Sequence, residues 1–217
     1  MKTLTFFKTL FSTTEKPVVI PIQEPAVKFV IIDGKNVMYG SPTDQNASLL
    51  NVLGLVDELN NRGIAFKAFF DANTFYTLMK AGKKDDAFAY RRICHDYPDF
   101  FIEVPGHNRA DDFLLDYADK GTASVISNDR FRDFALKYGW LTSNPSRRAS
   151  FLVHSGIMQI VGLGITASIP LKLADAESML RDKIGRITGK FVPTVLPHQA
   201  NKPANKVFNG GYNHATA

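Results

Sequence analysis

Val27-Lys-Phe-Val-Ile-Ile-Asp-Gly-Lys-Asn36 is the stretch that decides the fold. Its first six residues are mainly β-branched or aromatic, which suits a buried strand over Val27 to Ile32, and the strand ends at Asp33 followed by Gly34. Leu49, Val52, Leu53, Val56 and Leu59 then recur at helical spacing until Asn60, Asn61 and Gly63 stop them. A second strand, Ile64 to Phe70, follows at once and completes a β-α-β unit. Parallel strands need crossover connections, so this unit predicts an α/β domain with a mainly parallel central sheet flanked by helices.

Further along, the pattern predicts a helix around Asp86 to Cys94 and a short strand from Phe100 to Val104 that ends at Pro105. A helix over Ala110 to Ala118, a strand from Ala123 to Ser127, a helix from Arg130 to Tyr138 and a strand at Phe151 to His154 follow. The domain is expected to occupy residues 27–187. Residues 1–26, with Lys2 and Lys8 around Phe6-Phe7 and Leu10-Phe11, read as an N-terminal arm; Lys8 interrupts the only stretch that could serve as a signal peptide. Residues 188–217 read as a basic, flexible tail. From Lys183 onward there is no acidic residue, while Arg186, Lys190, Lys202 and Lys206 add positive charge.

Composition excludes several classes. The chain has 217 residues, a formal charge of +5 and a single cysteine, Cys94. One cysteine allows neither an internal disulfide nor a multi-thiolate zinc finger, and a reducing, cytoplasmic setting is expected. The longest apolar run, Ile157 to Ile169, is broken by Gly162, Gly164, Thr166 and Ser168, so no membrane partner is expected. The basic balance favours a polyanionic partner. His95, His107, His154, His198 and His214 are scattered without metal-ligand spacing.

In open α/β sheets, function collects beyond the carboxyl ends of the strands. Asp33 ends the first strand and Asp71 the second; Asp111 and Asp112 open a helix; Ser127, Asn128 and Asp129 close the fourth strand, with Arg130, Arg132 and Asp133 beyond. Taken singly, each has a plain structural use, as a turn, a helix cap or a salt-bridge partner. Taken together, several chain segments bring carboxylates to one sheet edge. Such a cluster calls for a divalent cation, and oxygen donors without cysteine or paired histidines favour Mg²⁺ or Mn²⁺ over zinc.

The ordered set of Phe29-Val-Ile-Ile-Asp-Gly-Lys-Asn36, Arg109-Ala-Asp-Asp112 and Ser127-Asn-Asp-Arg-Phe-Arg-Asp133 resembles the three acidic motifs of PIN-like nucleases of the NYN class, most closely the Regnase-like ribonuclease domains. Arg147-Arg148 with Phe151-Leu-Val-His154, and Asp175 to Leu180, resemble the strand and last helix that follow in that group, so the resemblance covers about Val27 to Ile184. It implies a PIN-like three-layer domain and a Mg²⁺- or Mn²⁺-dependent endoribonuclease acting on RNA. Carried over residue by residue, Asp33, Asp111, Asp112 and Asp129 would be the acidic metal centre, with Asn36 and Asp133 at supporting positions. Because Asp111 and Asp112 diverge by about 100° on a helix, one would touch metal and the other orient water. Lys35, Arg109, Arg130 and Arg132, with Asn128, are the candidate substrate contacts, the cations through flanking phosphates or as salt-bridge partners of the acids. Phe75, Tyr76 and Tyr39 are candidates to stack on bases, or else core residues.

This chain departs from the resemblance in one respect. Regnase-like proteins often carry a cysteine-histidine zinc finger, which Cys94 alone cannot build, so target choice falls to the tail, to Lys80, Lys83 and Lys84, or to a protein partner. A homodimer is in keeping with the family. The competing reading is a non-catalytic RNA-binding module on the same fold, against which all four acidic positions are filled. A haloacid-dehalogenase-type phosphatase would need an acid where Lys35 stands. Gly162-Leu-Gly-Ile-Thr-Ala167 matches a dinucleotide fingerprint by letter, but Pro170 falls where its helix should run, which leaves a loop or packing segment.

Overall fold

The computed structural model describes residues 27–40 and 47–187. The arm expected at 1–26 and the tail expected at 188–217 lie outside the described residues. Five strands form one parallel sheet: β1 (Phe29–Asp33), β2 (Ala65–Phe70), β3 (Phe101–Glu103), β4 (Ser124–Ile126) and β5 (Arg148–Ala149), in the order β3-β2-β1-β4-β5. The chain runs outward from β1 through β2 to β3, then returns to β4 on the other side of β1. The order therefore reverses between β1 and β4, and at that switch point the loops part and leave a crevice.

Strand alternation sorts the core into two halves. Val30 and Ile32 of β1, with Phe66, Ala68 and Phe70 of β2, face one side, where they pack with Leu55, Val56 and Leu59 of α2 (Leu49–Asn61) and Leu180 of α7 (Leu173–Ile187). Ile31, Phe69 and Val125 face the other side, against Leu114, Leu115 and Ala118 of α5 (Ala110–Gly121) and Phe134, Tyr138 and Trp140. Period-2 strands and period-3.6 helices bury both faces of the sheet, which is the condition for an all-parallel arrangement.

Two local features differ from the sequence expectation, and a third, the Gly162–Ala167 stretch, agrees with it. Phe151–His154 (β6) does not extend the parallel sheet; it pairs antiparallel with β7 (Ile157–Ile160), which pairs with β8 (Ile165–Ser168), as a small separate sheet. The fifth parallel strand is instead the two-residue β5. The Gly162–Ala167 stretch supplies the turn and start of β8, with Gly162 and Gly164 at φ 90° and 62° and no helix after it. Finally, Arg130 to Tyr138 is no continuous helix: Phe131 sits at φ 50°, in the left-handed region, and only a 3-10 turn over Arg132–Phe134 forms. A residue in that region turns the backbone out of the right-handed helical path and interrupts helical hydrogen bonding.

Candidate active site

Asp33 is the last residue of β1 and the least exposed acid of the crevice, at 7%. Its carboxylate caps α1 (Gly34–Tyr39) by accepting from the Asn36 backbone N–H at 3.1 Å, and it accepts a hydrogen bond from the Ser127 hydroxyl at 2.7 Å. Burial pushes its pKa up to about 6 against the pull of those two bonds, and the charges of Asp111 and Asp129 push it further. Close contact explains why Gly34 follows: a Cβ there would lie 2.2 Å from the Phe70 ring, so only glycine lets α1 start on top of β2.

Asn36 in turn accepts from the Asn128 backbone N–H at 2.9 Å. The Asn128 side chain is committed elsewhere, donating to the Phe151 carbonyl and accepting from the Phe151 N–H, both at 3.0 Å. Although expected at the substrate, Asn128 lines the cleft while fastening β4 to the small sheet. Ser127 accepts from the Asp129 N–H at 3.0 Å, and Asp129 accepts from Phe131 N–H at 2.8 Å. The left-handed Phe131 thus completes a tight turn that presents the Asp129 carboxylate.

Asp71, one residue beyond β2, contributes a fourth acid that the expected site did not include. One of its oxygens accepts from the Ala110 N–H at 3.3 Å, at the start of α5, and the other lies 2.9 Å from the Lys35 ammonium. That ion pair raises the Lys35 pKa. Asp111, in the first turn of α5, is raised by burial and opposed by Arg109, whose guanidinium is 3.0 Å away and stacks over Phe134. Asp112 points away: its carboxylate stands 3.5 Å from Lys137 and lines no part of the cleft. The helical divergence of neighbouring residues accounts for this split.

Together Asp33, Asp71, Asp111 and Asp129, with Lys35, Asn36, Tyr39, Arg109 and Asn128, line a cleft of about 560 Å³. A second hollow of about 380 Å³ shares Arg109, Asp111, Asn128 and Asp129 with it and extends past Arg130, Arg132 and Asp133. The acids converge on the first, and Arg130, Arg132 and Asp133 border only the second. Ser127 and Asp71 are named at the sheet edge from the sequence but given no part in the expected site. Ser127 lies inside a motif whose acid draws attention, and Asp71 stands one residue past β2, beside β1, which ends at Asp33.

The donors facing the cleft are hard carboxylate oxygens with no thiol or imidazole among them, four acids against Lys35 and Arg109. That set fits a divalent cation of the Mg²⁺ or Mn²⁺ kind. Among the described residues no three acidic, histidine or cysteine side chains stand as a ready-made ligand group, in keeping with Lys35 and Arg109 lying against two of the acids.

A parallel sheet with acids gathered at its switch point, carried on a capped first strand and the turn after β4, defines a PIN-like domain of the NYN class. Residues 26–155 match the Zc3h12a-like ribonuclease NYN domain, more than half the chain, and the protein belongs to that family. Among solved structures, two of nuclear protein-only RNase P 2 (PRORP2) from Arabidopsis thaliana are similar. One has 15% identity and a TM-score of 0.50, over 66% of this chain and 31% of that one. The other has 14% identity and a TM-score of 0.49, over 64% and 30%. The chain thus spans about a third of the length of those proteins, and the likeness is one of fold. A search of the curated proteins finds no match.

Proposed function

We propose that this chain is a divalent-metal-dependent endoribonuclease that hydrolyses phosphodiester bonds of RNA in the acidic cleft. The observation that carries the reading is the convergence of Asp33, Asp71, Asp111 and Asp129 at the switch point of a ribonuclease-family domain. Asp33, Asp111 and Asp129, joined by Asp71, would hold Mg²⁺ or Mn²⁺. A cation there supplies charge neutralisation at the scissile phosphate and makes water a competent nucleophile near neutral pH.

The protein's own groups do the rest. Ser127 and Asn36 fix the Asp33 carboxylate and tie it to the Asp129 turn, so that acids from β1 and β4 keep one spacing. Lys35 and Arg109, already at the cleft wall, hold phosphate oxygens on either side of the cut. Arg130 and Arg132 border the adjoining hollow, where a neighbouring phosphate would lie. Products would carry 5′ phosphate and 3′ hydroxyl.

The test is purified protein with end-labelled single-stranded RNA in Mg²⁺, in Mn²⁺ and in EDTA, alongside Asp33→Asn and Asp129→Asn. Metal-dependent cuts lost in both variants support the reading. RNA that is bound but left intact under every condition replaces it with a binding module.

A further inference from the structure

On the far side of Asp71, α3 (Thr74–Lys80) and α4 (Lys84–Asp96) form a hairpin with an uncovered aromatic cluster. Phe75 meets Tyr76 at 5.4 Å and Phe88 at 5.8 Å between ring centroids, both edge-on. Tyr76 is 68% exposed and Phe88 42%, with Met79 beside them at 38%. The Arg91 guanidinium lies over Phe75 at 3.7 Å. Phe75 is half-buried against the core, and the two exposed rings on either side of it, Tyr76 and Phe88, mark a contact surface.

Charge says which kind. Lys80 follows Tyr76 by four residues on α3, and Lys84 precedes Phe88 by four on α4, so each exposed ring has a cation one turn away. Among the described residues Lys80, Lys83, Lys84 and Arg91 enter no ion pair. Of the two acids that open α4, Asp86 is occupied in accepting from the Leu49 N–H at 2.9 Å, which leaves Asp85. Stackable rings with cations around them are the makings of a single-strand platform. The hairpin starts three residues after the cleft acid Asp71 and is tied to it: the Thr74 N–H and hydroxyl both donate to the Asp71 carbonyl, at 3.0 and 2.7 Å.

We infer that Tyr76 and Phe88 form a base-stacking subsite for the single-stranded RNA that flanks the scissile bond, with Lys80, Lys83, Lys84 and Arg91 on its phosphates. This rests on reading the cleft as an RNA site. Base-on-aromatic contact tolerates any sequence, so the subsite grips strand and not motif.

The test measures binding apart from cleavage. Full-length protein in EDTA is titrated into a labelled 10-nucleotide RNA, and into an abasic strand of equal length, with fluorescence anisotropy as readout. Tyr76→Ala and Phe88→Ala should each weaken binding to the base-bearing strand by about fivefold or more, and leave binding to the abasic strand within twofold. Tyr76→Phe should bind as the parent does, and Leu171→Ala, exposed elsewhere, should change nothing. Lys80→Gln with Lys84→Gln should flatten the salt dependence by roughly 1.4 units of slope, about 0.7 for each phosphate contact on a single strand. Thermal melts confirm that each variant is folded; at 68% exposure, Tyr76→Ala alone suffices if Phe88→Ala is not. Equal affinity of Tyr76→Ala and parent for the base-bearing strand overturns the platform, even where the parent cuts RNA. Base-dependent binding without metal-dependent cutting keeps the platform and overturns the nuclease.

Discussion

The side-chain oxygen of Asn36 accepts a hydrogen bond from the backbone N–H of Asn128 at 2.9 Å, joining the ends of two adjacent strands across 92 positions of sequence. The same residue's own N–H donates to Asp33. Asn36→Ala strands the Asn128 N–H in a half-buried place and should cost about 1–3 kcal/mol in chemical denaturation. Asn36→Asp keeps an acceptor and should recover part of that at neutral pH, while crowding a further negative charge against Asp33. An alanine variant as stable as the parent would show that the bridge is dispensable.

Asp33 sets a pH dependence. Its folded pKa of about 6 lies above the ordinary 3.8, so between those values the folded state holds a proton that the unfolded chain releases. Its contribution to stability therefore falls as pH rises from about 4 to 6 and stays low above that. Two units correspond to about 3 kcal/mol. Asp33→Asn should accordingly melt higher than the parent at pH 8 in EDTA, with the gap closing towards pH 4. A variant that melts lower at pH 8 would mean that the Ser127 and Asn36 bonds outweigh burial.

Asp111 and Asp112 should separate in kinetics. Single-turnover cleavage by Asp111→Asn is expected to fall by about a hundredfold or more, as for loss of a group that faces developing charge. Asp112→Asn should stay within tenfold, because its carboxylate lies outside the cleft in a 3.5 Å, half-exposed pair with Lys137. Equal losses in the two would place both acids at the reaction.

Gly34 is fixed by contact. Gly34→Ala drives a methyl into the Phe70 ring, which lies 2.2 Å from its Cβ position, and should destabilise by about 1–3 kcal/mol. Phe70→Leu should cost less in the alanine background than in the parent, and a double-mutant cycle measures that coupling.

Strong periodicity made β1, α2, β2 and α5 legible, each within a few residues, because their apolar residues alone decide which face is buried. The stretch after Asp129 reads as a helix in the sequence and is not one in the fold, for a physical reason. Phe131, Phe134 and Tyr138 have helical spacing and are all buried, yet the positive φ of Phe131 is invisible in a list of residue types. Ile157 to Ile169 carried its signal openly: Met158, Ile160, Ile165 and Ala167 are buried in alternation with exposed neighbours, the period of a half-covered hairpin. Asp71 went unassigned because its partners, Lys35 and the Ala110 N–H, lie 36 and 39 positions away, and only the fold brings them together.

Lys35 on Asp71 and Arg109 on Asp111 also mean that the cleft carries its own ionic ballast. A zinc finger stripped of its ion falls apart, because the ion is its core. Here the sheet is already packed on both faces and two of the crowded acids already have internal counter-charges. Chelation should therefore silence such a site without melting the chain, and returning the cation should turn those two side chains loose at the moment an incoming phosphate has use for them.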